Sequence, residues 1–138
     1  MTKRYLPVLA LAVFSAGAAA QPFPMNEQGD VRWVCAGIGE GEREALAKME
    51  AGTSLKLVFA AGKRGEYLTD VDVVLSDREG KRPALKFIAE GPICLIQAPA
   101  GRYQVEAAFG DTKRSVAATV TKGVKQPGML VFRFPGTQ

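Results

Sequence analysis

From Ser54 onward the pattern of apolar residues changes to period 2 and remains the dominant spacing through the later segments. A helix spaces its buried residues three or four apart, so the pattern belongs to strands. Leu55, Leu57 and Phe59 alternate with Ser54, Lys56 and Val58, and Val71, Val73 and Leu75 alternate with Asp70, Asp72 and Val74. A weaker strand covers Ala84 to Ala89. Ile93 to Ile96, Tyr103 to Phe109, Lys113 to Thr121 and Met129 to Phe134 follow. Each run is ended by turn chemistry: a charged tip at Lys63–Glu66, a hairpin-type loop at Ser76–Lys81 with Gly80 placed for positive φ, then Gly110-Asp111, Lys122-Gly123 and Gln126–Gly128. With the earlier strand Val31–Cys35 this makes about seven to eight short strands, the rhythm of an all-β, antiparallel β-sandwich. Helices alternating with strands would call for a parallel sheet, and that alternation is missing.

One helix interrupts the β pattern early. Glu40 to Ala51 carries Ala45, Leu46 and Met49 as a narrow apolar stripe, and Gly52 follows as a terminating glycine. So narrow a stripe suits a short helix docked on a sheet edge or over one end of the core. The loop before it, Gly37-Ile38-Gly39-Glu40-Gly41, is the glycine-dense segment of the chain. A dinucleotide fingerprint needs G-x-G-x-x-G opening a helix, and a P-loop closes on G-K-[ST]. Here Glu42, Arg43 and Glu44 follow instead. Carboxylates at a helix start satisfy its dipole themselves and repel phosphate, so the loop reads as a strand-to-helix turn.

The first twenty residues have the composition of an export signal: Lys3 and Arg4, an apolar run from Leu6 to Phe14, and Ala18-Ala19-Ala20 as the small-x-small cleavage site. The apolar run is too short to span a bilayer, which takes about 20 apolar residues. Residues 1–20 are therefore expected to be a cleaved Sec-type signal peptide and the protein periplasmic or secreted. No cysteine follows Ala20 to take a lipid, and no integral membrane segment is expected in the mature chain. Residues 21–30, with two prolines and a glycine, read as a flexible lead-in. Residues 31–138 make one domain, large enough to bury a core of its own.

Cys35 and Cys94 are the two cysteines of the sequence, and in an oxidising compartment an intramolecular disulfide is their default. Two buried thiols or an intermolecular bridge stay open as alternatives. Trp33 shares a strand face with Cys35 and is placed to pack against such a bridge.

The most sharply punctuated segment runs from Gly91 to Phe109: an apolar strand, a turn at Pro99-Ala100-Gly101, and a returning strand opened by Tyr103. Pro99 and Gly101 suit the turn. A tyrosine at a sandwich corner buries its ring and hydrogen-bonds its hydroxyl to nearby backbone. The stretch Pro99 to Val105 resembles the carboxypeptidase regulatory-like, transthyretin-like (prealbumin-like) β-sandwich domains, in which an apolar strand meets a Pro-x-Gly turn and then x-Tyr-x-Val. Val71 to Gly80 resembles the hairpin of those domains, and the likeness extends over Leu55 to Val120. Gly37 to Arg43 is similar to a segment of small exported proteobacterial proteins of unassigned function built on the same domain. The resemblance implies a transthyretin-like or immunoglobulin-like sandwich serving as an accessory module. It does not carry over the activity of the related hydrolases, which depend on histidine, because this chain has none.

Lacking histidine, the chain has no Ser/His/Asp or Cys/His nucleophile, and the commonest metal ligand is gone too. No catalytic residue, metal ligand or cofactor is assigned. Asp70 and Asp72 are the close carboxylate pair. On one strand face they could hold a weak Ca²⁺, and a solvated face explains them equally. Loss of Lys3 and Arg4 with the leader lowers the formal net charge from +4 to +2, and the remaining charges are interspersed, which gives nucleic acid or an anionic membrane no basic cluster. The expected function is a non-catalytic, monomeric module that binds a protein or cell-envelope partner. The alternative is a small-ligand carrier or a carboxylate-dependent hydrolase using Glu90 or Glu106. Export predicts a mature N-terminus at Gln21; Edman sequencing or intact mass of the secreted protein should find it, and a retained Met1 would sink the assignment of the leader.

Overall fold

The alternation is realised as ten strands and one helix in a computed structural model, which describes residues 23–136. The expected leader, residues 1–20, lies outside the described residues. In chain order the strands are β1 (Asn26–Gln28), β2 (Val31–Ala36), β3 (Leu55–Ala61), β4 (Glu66–Tyr67), β5 (Val71–Asp77), β6 (Leu85–Ala89), β7 (Ile93–Gln97), β8 (Gly101–Phe109), β9 (Thr112–Val120) and β10 (Gly128–Phe134), with α1 (Glu40–Ala47) between β2 and β3. They form two sheets: sheet A in the order β1-β2-β7-β3-β10, with β4 also paired to β3, and sheet B in the order β6-β5-β8-β9. The architecture is an all-β sandwich.

The main core lies between the sheets. Sheet A turns Leu57, Phe59, Cys94, Ile96 and Phe132 inward, and sheet B turns Val71, Val73, Leu75, Tyr103, Val105 and Ala107 onto them. A second, smaller cluster covers the outer face of sheet A, where Leu46 of α1 packs on Val34, Ala36, Ile93 and Leu95, joined by Phe23, Met25 and Met49. Strand β7 is consequently buried on both faces, and its four apolar residues in a row, Ile93 to Ile96, are what such a position requires. Gly91 brings the turn before β7 against the end of β2: a Cβ there would lie 2.4 Å from the Ala36 carbonyl oxygen, so no other residue fits without moving the backbone. The outer face of sheet B is polar, with Asp72, Arg102, Lys113 and Ser115 exposed.

Four expectations need correction. Part of the lead-in is ordered, for Asn26–Gln28 pair antiparallel with Val31–Trp33, and Phe23 and Met25 pack on the second cluster. The helix ends at Ala47 rather than Ala51. Its last carbonyls are taken by tighter turns, Met49 N–H on the Leu46 oxygen at 2.8 Å, and both the amide and hydroxyl of Thr53 close on the Glu50 oxygen at 3.0 and 2.7 Å. Gly52, at φ 89°, sits inside the Glu50–Thr53 turn rather than capping the helix. The sandwich is not purely antiparallel: β10 runs parallel to β3 along its whole length, from Gly128↔Leu55 to Phe134↔Ala61. The strands number ten rather than seven to eight, and Trp33, on the inner face with Cys35, stacks on Phe87 of sheet B with ring centroids 5.3 Å apart.

Cys35 and Cys94 are disulfide-bonded. They sit directly opposite one another on β2 and β7, Cα atoms 4.1 Å apart, so the bridge joins neighbouring strands of one sheet rather than the two sheets. It closes a loop spanning 59 positions that contains α1 and β3 to β6. A closed loop of that size restricts the unfolded chain by about 4 kcal/mol. Replacing both cysteines with alanine should therefore lower the urea midpoint by the equivalent of up to about 4 kcal/mol, with the far-UV spectrum unchanged; a midpoint that does not move would show that the bridge contributes nothing to stability.

Candidate functional site

At one end of the sandwich Tyr103 forms the corner expected of it. Its ring is 1% exposed, and its hydroxyl donates to the Pro99 carbonyl at 2.6 Å. Burial pushes the phenol above its usual range, with the Arg82 charge opposing. Both the ring and the hydroxyl are engaged internally. Gly101, at φ 159°, is close to extended and opens β8 without a left-handed turn.

Beside this corner lies a cluster that the strand pattern does not reveal. Arg82, in the loop between β5 and β6, donates from Nε to both carboxylate oxygens of Asp30 at 3.0 and 2.9 Å and from Nη1 to Asp77 at 3.2 Å. Asp30 lies in the β1–β2 turn of sheet A and Asp77 at the end of β5 in sheet B, so one guanidinium ties the two sheets together. The Asp77 side chain is 3% exposed and also accepts the Glu79 N–H at 2.8 Å. That backbone hydrogen bond, and then the hydrogen bond from Arg82, hold the Asp77 carboxyl below its ordinary value, against the opposing effect of burial.

The glycine loop serves its own helix. Glu42 Oε1 accepts from the amides of Gly37 at 3.1 Å and Ile38 at 3.2 Å, which occupies the donors a phosphate would need. Arg43 returns to the Gly37 carbonyl at 3.3 Å, and its guanidinium lies over the Tyr67 ring, 5.3 Å from the centroid.

The candidate carboxylates are dispersed. Asp70 is not on a strand with Asp72. It sits at φ 61°, in the left-handed region just before β5, with its N–H donating to the Ala89 carbonyl at 2.7 Å. The period-2 rule therefore does not bring the two carboxylates onto one face, and no group of three His, Cys, Asp or Glu suited to a metal occurs among the described residues. Glu106 lies on the outer face of sheet B and pairs with Lys113 at 3.1 Å. Glu90, in the turn between β6 and β7, borders a groove of about 440 Å³ lined by Phe23, Trp33, Cys35, Phe87 and Ile88. Glu90 and Glu106 thus serve different surfaces.

Sheet edges are the other candidate. β1 has three residues, β6 has five and includes Lys86, and β9 begins Thr112-Lys113-Arg114. β10 has seven residues with one charge, Arg133, and leaves Met129 62% and Val131 46% exposed on the outer face of sheet A. An edge so long and apolar, without proline or a bulge, is a template for another strand.

The fold and these surfaces define a β-sandwich domain, with the Glu90 groove and the β10 edge among its open features. No protein-family model and no curated protein matches the chain.

The Asp77 linkage has a definite sign. A carboxyl held low in the folded state contributes stability above its unfolded value, near 3.9, and that contribution is lost as pH falls through the folded value. Urea midpoints between pH 6 and pH 2 should therefore fall below about pH 4, and Asp77→Asn should flatten the fall while lowering stability at pH 6. Parallel curves for the two proteins would refute the linkage.

Proposed function

We propose that this protein is a non-catalytic, exported module of the carboxypeptidase regulatory-like, transthyretin-like kind, which binds a protein or cell-envelope partner through the open edge of sheet A. The reading rests chiefly on β10: it is a seven-residue edge with one charge, whereas β1 and β6 are shorter and the nine-residue β9 carries Lys113 and Arg114. Dispersal of the carboxylates leaves no facing pair of the kind that glycoside-type hydrolysis uses, which supports a non-catalytic role. The tyrosine corner and the disulfide agree with a rigid accessory domain in an oxidising compartment.

A second reading has its own observation. The groove bordered by Glu90 offers aromatic walls and one carboxylate, the composition of a small-ligand seat. It supports the carrier, or the hydrolase that would use Glu90.

A photo-crosslinking residue placed at position 131, 88 or 115, in the cell that exports the protein, separates the two. The edge reading expects one discrete adduct from position 131 and none from 115, on the outer face of sheet B. Adducts confined to position 88 would favour the groove, and equal labelling from all three would remove both.

A further inference from the structure

The direction of the backbone along β10 shows which of its groups are free. Gly128 donates its N–H to the Ser54 carbonyl at 3.1 Å, and Phe134 accepts from the Gly62 N–H at 3.0 Å, so the even-numbered residues bond toward β3. In a parallel pair alternate residues turn both groups the same way. The N–H and C=O groups of Met129, Val131 and Arg133 therefore face away from the sheet. Arg114 of β9 donates to the Arg133 carbonyl at 3.1 Å and closes that end. Among the described residues nothing bonds the outward N–H and C=O of Met129 and Val131, which are spaced as an added strand would use them, beside their own exposed side chains.

Charge then selects the occupant. From Thr112 to Gly136 the sequence has five basic residues and no acidic one; Lys113 is paired with Glu106, which leaves Arg114, Lys122, Lys125 and Arg133 to make the border basic. A second copy would bring one basic border against another. We propose that β10 receives an extended segment of a partner protein, apolar at alternate positions and acidic at its flanks, which adds a strand to sheet A. This rests on the edge-binding reading above and names the partner's chemistry. Backbone hydrogen bonds give the segment its hold, its alternate side chains cover Met129 and Val131, and its acidic flanks meet the basic border.

Two synthetic peptides with the same alternating Thr/Val core test it, one flanked by Glu and Asp, the other by Lys. Fluorescence anisotropy should show the acidic peptide binding at least about tenfold more tightly, with affinity falling as salt rises, and amide exchange should slow at Met129 and Val131. Val131→Pro, which removes an outward N–H and leaves the bonds to β3, should weaken binding about tenfold. Met129→Glu, at an exposed site, should weaken the acidic peptide similarly with an unchanged melting temperature. Equal affinity for both peptides would overturn the acidic partner. Slowed exchange on β6 or β9 instead would overturn the site and leave a binding module standing. Dimers in sedimentation without peptide, with Met129 and Val131 protected, would make a second copy the occupant and overturn the proposal. Binding of neither peptide would overturn both the proposal and the edge-binding reading.

Discussion

Burial of β7 on both faces is the constraint on which the rest of sheet A depends. Ile93 and Leu95 lie under α1, while Cys94 and Ile96 face the sandwich interior. Each side chain so buried contributes about 1.5–3 kcal/mol relative to exposure. The strand also pairs along both sides, with β2 and with β3, so without it sheet A would separate into two unconnected ribbons. The disulfide lies within this central pairing and fixes the register of β2 against β7 as Cys35↔Cys94. A slip by one residue would turn Val34 and Ala36 away from the helix.

The sandwich is closed at its sides by aromatic pairs and at one end by charge. Trp33 and Phe87 meet across one side, and Phe109 and Phe134, with centroids 6.0 Å apart, meet across the other. Between them Phe59 and Phe132 stack at 5.7 Å. Arg82 joins the sheets at the end where their hairpins would otherwise separate. Tyr103, next to it, satisfies its hydroxyl on Pro99, and among the described residues no buried side-chain N or O lacks a partner.

Much of this was legible where one strand face is wet and the other dry. From Leu55 to Phe134 the alternation marks nearly every long strand, and residue type alone pointed to the Cys35–Cys94 pair and the Tyr103 corner. β1 and β4 escaped notice because two or three polar residues carry no period. Lys48 to Ala51 are good helix formers, yet Thr53 claims the carbonyl of Glu50, a competition that propensity does not express. Asp70 reads as a strand residue until its left-handed backbone is seen. The Asp30–Arg82 contact joins residues 52 apart, and the β3–β10 pairing joins segments farther apart still. Local pattern contains neither. The open edge was similarly hidden, because a strand's neighbours, rather than its own composition, determine whether it lies at a border.

The parallel pairing of β3 with β10 also orders events in time. β3 enters the chain early and finds one neighbour in β7, but its other side stays unpaired until residues 128–134 arrive. Seven backbone positions of a buried strand must therefore wait for a segment some seventy residues away. Contacts of such long range slow folding, because the intervening chain must be restrained before they form. During that interval the exposed border of the nascent sheet is the side of β3 itself, with its backbone groups toward β10 unpaired. When β10 docks it moves the border outward by one strand, to an edge bearing Met129, Val131 and Arg133.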